Sequence, residues 1–212
     1  MRIILAAQDQ ALADAWTMAF EGVDEVAIHR GSILDVPCDA VVSPANSFGF
    51  MDGGIDAVYL DRFGPALQDK VRWRILDGHG GELLVGAAEL VETGEAAIPR
   101  LFAAPTMRVP MVLPSDSINP YLATRAVLRL WRLGAVMEGR DAGRPIREVV
   151  SSVAFPGMGT GVGRLPPALC ARQMRVAVDE HLVRGAFRFP TSWAEASERH
   201  QRLYTDRPVR LQ

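Results

Sequence analysis

The sequence predicts an α/β fold, a three-layer α/β/α sandwich with a mixed, largely parallel central sheet. Short apolar runs alternate along the chain with segments of helical periodicity, which is the pattern of strands joined by helices. Glycine-bearing loops directly follow two of the most apolar runs, as ligand-binding loops do at the carboxyl ends of parallel strands. The composition is that of a soluble globular protein, with 212 residues, 49% of them hydrophobic and 23% charged.

Four elements are predicted before the first glycine-bearing loop. Residues 2–7 form a short apolar run that indicates a strand, and residues 11–20 carry apolar side chains at helical spacing. Residues 25–29 alternate briefly and indicate a second strand. Residues 39–43 are typical of a strand buried on both faces, which ends at Pro44.

The middle of the chain predicts two short helices followed by two strands. Residues 55–77 have helical periodicity that is interrupted at Gly64 and Pro65, where proline can occupy the first position of a new helix. Residues 82–93 and 101–104 are apolar segments bounded by glycine or proline, and we expect both to be strands.

The last third predicts helix, strand and helix. Residues 121–137 place their apolar side chains largely on one side of a helix. Residues 147–155 indicate a strand that runs directly into a glycine-rich loop, and Pro166 and Pro167 open a helix that continues to about residue 183. We expect residues 1–189 to form one domain and residues 190–212 to be a polar surface tail.

Composition and charge exclude several functions. No run of about 18 apolar residues exists, so we expect no contact with a membrane. The net charge is −2, which gives no basic excess for binding a nucleic-acid backbone. The apolar run at the N-terminus is too short for a signal peptide, which favours a cytoplasmic protein. The arginine-rich composition, with Lys70 the only lysine, is typical of a GC-rich genome, and we expect a bacterial protein.

Cysteine and histidine offer no metal site. Cys38 and Cys170 are far apart and share no short ligand spacing, so we expect buried thiols. The four histidines are scattered. We therefore expect neither a metal nor a cofactor, and the sequence leaves the oligomeric state open.

The second loop, residues 157–163, has four glycines between a predicted strand and a predicted helix. Backbone N–H groups without side chains can approach phosphate oxygens closely, and the N-terminus of a helix adds partial positive charge. The glycine spacing does not match the Rossmann fingerprint, and the P-loop lysine is absent. Alone, the loop also fits a tight turn.

The first loop, residues 43–56, combines Asn46, a Gly53-Gly54 pair and Asp56. An asparagine at a strand end can offer a donor and an acceptor to a sugar diol, and two glycines let the backbone touch a ligand. Taken singly, each residue is more often a turn residue or a helix cap. Residues 104–108 end a later strand, and we expect them to form a wall of the same cleft. Within this segment Arg108 is either a phosphate or carboxylate contact or a surface arginine at a turn.

Together the two loops resemble the macrodomain family, whose members bind ADP-ribose. That family typically has Gly-Asp-Ile, then Asp-Ala-Ile-Val-Asn-Ala-Ala-Asn-Ser, then a glycine run ending in Gly-Val-Asp, and finally Pro-Ala-Ile-Gly-Thr-Gly-Val. The counterparts here are residues 31–33, 39–47, 53–56 and 156–162. Their order and the spacing from Asn46 to Asp56 agree with the family.

The resemblance implies an enzyme that hydrolyses mono-ADP-ribose from modified proteins or related acceptors without a metal. Asp56 would assist the chemistry at the distal ribose and Asn46 would position the diol. Three alternatives stay open: a non-catalytic ADP-ribose reader, a hydrolase of small derivatives such as O-acetyl-ADP-ribose, and a structural or assembly protein that reuses the fold. The further ligand-binding positions implied are Ser32, Ile33, Ala45, Phe48, Gly53, Gly54, Ile55, Pro156, Gly157, Met158, Gly159, Thr160, Gly161, Val162 and Gly163.

Four positions depart from the family pattern. Ser32 stands where the family usually has an aspartate that holds the adenine amino group, so adenine selectivity is left open. Met51 and Asp52 shorten the usual four-glycine run, and Gly163 replaces an aromatic residue. Phe48 or Phe50 can supply the missing ring, and either can equally be a core residue.

Overall fold

A six-stranded sheet forms the middle layer of the computed structural model, which describes residues 1–44, 46–183 and 187–209. The strands are β1 (Arg2–Ala7), β2 (Val26–Arg30), β3 (Ala40–Ser43), β4 (Glu89–Glu92), β5 (Arg100–Ala103) and β6 (Ser152–Phe155). Their order in the sheet is β2-β1-β6-β3-β5-β4. All neighbouring pairs are parallel except β4 and β5, which are antiparallel.

Helices cover both faces of this sheet and give the predicted α/β/α sandwich. The helices are α1 (Gln10–Ala19), α2 (Gly54–Phe63), α3 (Ala66–His79), α4 (Asn119–Leu133), α5 (Ile146–Val149), α6 (Pro167–Val178) and α7 (Trp193–Gln201). Side chains of β1 alternate between the two layers of core: Ile3 and Leu5 pack with α1, α4 and α6, whereas Ile4 packs with α2 and α3.

Two predicted strands are shorter than the sequence suggests. Residues 82–88 belong to no strand of the sheet, because Gly86 has a φ of +97° and the Leu83 N–H donates to the Ser47 carbonyl at 2.9 Å instead of joining a ladder. Residues 147–149 belong to the short helix α5, in which the Val150 N–H donates to the Ile146 carbonyl at 2.9 Å. Strand prediction for both segments was wrong at these residues.

The start of β6 is anchored to the start of β3 by Asp39. Its carboxylate accepts the backbone N–H groups of Ser151 and Ser152 at 2.8 and 2.9 Å and both of their hydroxyls at 2.6 and 3.0 Å. Burial opposes ionisation here, but these hydrogen bonds hold the pKa of Asp39 below its ordinary value.

The C-terminal segment contains a helix that the sequence analysis did not predict. Ser192 caps α7 by accepting the Glu195 N–H at 3.1 Å, and Leu203 after the helix is buried. Asp206 pairs with Arg172 of α6 at 2.8 Å, so this segment contacts the sandwich. Residues 210–212 of the expected tail lie outside the described residues, and the division at residue 189 stays a prediction. None of the described helices is long and apolar enough to cross a membrane.

The parallel strands bring their carboxyl ends to one edge of the sheet. The loops after β1, β2, β3, β5 and β6 therefore meet there, although they are far apart in sequence. We call this the carboxyl edge.

Candidate functional site

A cleft of about 550 Å³ lies at the carboxyl edge. Its volume is in the range of pockets that enclose small molecules and cofactors. Most residues singled out in the two loops line it: Ser32, Ile33, Asn46, Gly53, Gly54, Ile55, Asp56, Pro156, Gly157, Gly159, Thr160, Gly161, Val162 and Gly163. The structure thus brings the two loops together around one cavity.

Two of the predicted ligand-binding positions that the structure describes, Phe48 and Met158, are not among the lining residues. Met158 is fully buried and packs in the core, because its side chain points away from the cleft while its neighbours Gly157 and Gly159 line it. Phe48 packs under the Arg108 guanidinium, 5.1 Å from the ring centroid, outside the cleft. Ala45 lies outside the described residues.

Asp56 is the buried acid of the cleft. It lies in the first turn of α2, and only 5% of its surface is exposed. Burial raises the pKa of Asp56 to about 7, and the charge of nearby Asp52 acts in the same direction. The Ser43 hydroxyl donates to Asp56 Oδ1 at 2.5 Å and opposes the rise. Asp56 can therefore both hold and release a proton near neutral pH.

Asn46 holds the loop that follows β3. Its Oδ1 accepts the N–H groups of Phe48 and Phe50 at 3.1 and 3.3 Å, and its Nδ2 donates to the Phe50 carbonyl at 2.8 Å. A carboxamide carries two N–H donors. Within the described residues only one of the two is used, so the second remains for a ligand while the side chain fixes the cleft wall.

Phe50 is the aromatic ring that the loop presents to the cleft. The ring is 48% exposed, and the Arg72 guanidinium lies 4.1 Å from its centroid. Of the two phenylalanines that the sequence offered, the structure therefore places Phe50 at the cleft.

The glycine-rich loop after β6 is tightly folded. Gly159 has a φ of +74°, and its carbonyl accepts the Leu165 N–H at 3.1 Å. A Cβ on Gly163 would lie 2.4 Å from that carbonyl oxygen, so position 163 cannot hold a side chain in this conformation. Bare backbone thus faces the cleft where phosphate oxygens can approach it.

Several lining residues were missed by the sequence analysis: Ala6, Gln8, Gly31, Pro44, Asp52, Val58 and Pro110. Gln8 directly follows β1, so the rule that ligands bind at the carboxyl ends of strands gave a signal for it. Thr106 and Met107 follow β5 in the segment expected to form a wall. Arg108 does not line the cleft, because it pairs with Glu82 at 2.7 Å.

Lys70 and the cysteines lie away from the cleft. The Lys70 ammonium donates to the Glu92 carbonyl at 3.1 Å. Cys38 and Cys170 are buried free thiols, and burial raises the pKa of Cys38 to about 11. Among the residues that the structure describes, no group of three or more metal-ligating side chains is present.

Fold and site together define an α/β/α protein with a ligand cleft built from a glycine-rich loop and a buried acid. The family model of the Macro domain matches residues 42–174, and the chain belongs to this family. An uncharacterized protein of Aquifex aeolicus is 34% identical to this chain, in an alignment that covers 71% of this chain and 78% of the relative. An uncharacterized protein of Aeropyrum pernix is also 34% identical, and that alignment covers 76% of this chain and 73% of the relative.

Solved macrodomains share the fold at lower identity. The Mycobacterium tuberculosis DarG macrodomain is 21% identical with a TM-score of 0.54, covering 70% of this chain and 86% of that one. The Oceanobacillus iheyensis macrodomain with ADP is 18% identical with a TM-score of 0.57, covering 82% and 84%. A mutant of the same macrodomain with ADPR is 20% identical with a TM-score of 0.55, covering 82% and 86%.

Proposed function

We propose that this protein binds ADP-ribose in the cleft and hydrolyses mono-ADP-ribose from modified proteins or related acceptors. Membership of the macro domain family supports the ligand, as does the solved Oceanobacillus iheyensis macrodomain with ADP. The observation that carries the hydrolytic part is Asp56, a buried acid in the wall of the cleft whose pKa is about 7.

In the proposed complex the ligand lies in the cleft with its diphosphate at the glycine-rich loop. Backbone N–H groups of residues 157–163 would bind the phosphate oxygens, as the tight fold of this loop favours. The distal ribose then lies beside Asp56 and Asn46, where the unused N–H of Asn46 can hold one hydroxyl of the diol. Phe50 closes this end with an apolar face.

Asp56 would act as the general base at the ester that joins the distal ribose to its acceptor. Ser43 occupies Oδ1, which leaves Oδ2 to take a proton from a water molecule. The water oxygen forms a bond to C1″ of the ribose as the bond from C1″ to the acceptor oxygen breaks, and the acceptor leaves as a carboxylate. General-base assistance of this kind contributes roughly 10² to 10⁴ in rate.

The test is release of free ADP-ribose from a protein mono-ADP-ribosylated on acidic residues. We expect release by the wild type and a loss of about 10² or more in Asp56→Asn, which keeps the shape of the side chain and removes the base. Asp61→Asn is the matched control, because Asp61 is exposed on the same helix and should retain activity.

Three other outcomes correct the proposal. Release that survives in Asp56→Asn means that another group supplies the base. Calorimetric binding of ADP-ribose without release from this substrate or from O-acetyl-ADP-ribose identifies a reader. Absence of both binding and release refutes the proposed function.

A further inference from the structure

The two ends of the cleft differ in chemistry because of the strand order. The glycine-rich loop follows β6, which lies in the middle of the parallel strands. On one side of it, the loops after β3 and β5 carry Asn46 and Thr106, and α2 carries Asp56. On the other side, the loops after β1 and β2 carry Gln8 and Ser32.

Among the residues that the structure describes, none with an ionisable side chain lines the end at β1 and β2. Its lining residues are Ala6, Gln8, Gly31, Ser32 and Ile33. If the reacting ribose lies at Asp56 and the diphosphate at the glycine-rich loop, then the nucleoside extends to this neutral end. The inference that follows therefore rests on the proposed function.

Gln8 and Ser32 supply the polar side chains of the neutral end. The Ser32 oxygen accepts the Leu34 N–H at 3.3 Å, which leaves the hydroxyl hydrogen for a ligand. The Gln8 carboxamide is exposed and has no hydrogen-bond partner among the residues described. The neighbouring carboxylate of Asp9 is used to cap α1, where it accepts the Leu12 N–H at 2.9 Å.

A carboxamide and a hydroxyl can each either donate or accept a hydrogen bond. The 6-amino group of adenine needs an acceptor, whereas the 6-oxo group of hypoxanthine or guanine needs a donor. A carboxylate could serve only the amino group. A carboxamide can serve either group after a rotation of its terminal bond.

We propose that Gln8 and Ser32 read the nucleobase and that the cleft accepts 6-oxo purine nucleoside diphosphate riboses as well as ADP-ribose. Gln8 is the main specificity-determining residue, because its free amide offers both hydrogen-bonding groups. Ser32 contributes its hydroxyl hydrogen. The substrate class is thus purine nucleoside diphosphate ribose rather than the adenine compound alone.

The test compares dissociation constants for ADP-ribose and for its hypoxanthine counterpart by calorimetry. In the wild type we expect the two constants to agree within about threefold. Gln8→Glu makes this position acceptor-only, so we expect it to weaken the 6-oxo ligand at least about tenfold more than ADP-ribose. General repulsion between the new charge and the diphosphate affects both ligands equally and cancels in the ratio.

Gln10→Glu is the control for added charge. Gln10 is exposed on α1 and is not among the lining residues, so its variant should keep the wild-type ratio. Gln8→Ala should weaken both ligands by a similar factor. A wild type that binds the hypoxanthine ligand more than about thirtyfold more weakly than ADP-ribose overturns the inference and leaves the proposed function standing. A ratio unchanged in Gln8→Glu removes Gln8 as the reader. Failure of both ligands to bind at millimolar concentration refutes the proposed function as well.

Discussion

Replacing Asp56 by asparagine should stabilise the protein at neutral pH while removing its proposed activity. Burial raises the pKa of Asp56 from 3.8 to about 7, so the folded state retains a proton that the unfolded chain releases. Wild-type stability therefore falls as the pH rises from about 4 to 7, and the penalty is complete above 7. At 1.36 kcal/mol per pH unit, this rise in pKa corresponds to about 4 kcal/mol.

An asparagine cannot ionise, and its Oδ1 can still accept the Ser43 hydroxyl. The free energy of unfolding of Asp56→Asn minus that of the wild type should therefore increase by about 4 kcal/mol between pH 4 and pH 8. Urea denaturation followed by circular dichroism at pH 4, 5.5, 7 and 8 measures this difference. The exposed Asp61→Asn variant provides the baseline. A change of less than about 1 kcal/mol across that range would refute the assignment of Asp56 as a buried acid with a raised pKa.

Two further outcomes concern the hydroxyl beside Asp56 and the glycine-rich loop. Ser43→Ala removes a hydrogen bond that lowers the pKa of Asp56. The acidic limb of the plot of kcat/KM against pH should therefore move to higher pH by about one unit. A limb that stays at the same pH contradicts the role of Asp56 as the base. Gly163→Ala places a Cβ 2.4 Å from the Gly159 carbonyl oxygen and should weaken ADP-ribose binding at least about tenfold. The Cβ of the control variant Gly161→Ala has no atom within 4 Å, so its dissociation constant for ADP-ribose should stay within about threefold of the wild-type value. Equal calorimetric affinities of the two alanine variants would show that loop geometry does not control phosphate binding.

Most of the sheet could be predicted because its strands are continuous apolar runs bounded by proline or glycine. The failures lie where local patterns compete with tertiary contacts. Residues 147–149 lie at the start of a segment that is rich in β-branched residues further along, yet they follow Pro145 and close one helical turn. Residues 82–88 are apolar, but Leu83 donates to the Ser47 carbonyl rather than to a neighbouring strand.

The site could be predicted in outline and not in its interactions. The spacing of Asn46 and Asp56 and the glycine-rich loop predicted which segments form the cleft. Asn46 makes most of its hydrogen bonds to its own loop. These bonds depend on the path of the chain after β3, which the periodicity of the sequence does not predict. The burial that sets the pKa of Asp56 likewise depends on how α2 packs on the sheet. Gln8 was missed because a single glutamine after a strand carries no motif.

The Asp39 anchor lies at the end of the sheet opposite to the cleft. Its four hydrogen bonds join two central strands without involving any residue of the carboxyl edge. The amino ends of these strands thus hold the sheet together, whereas their carboxyl ends lead into the loops that line the cleft. Loops at the binding end can change in length and chemistry without loosening the scaffold, which is how chains that share only about a fifth of their residues keep one architecture. In such a framework, new ligand preferences can arise through substitution of a few loop residues while the sheet is inherited unchanged.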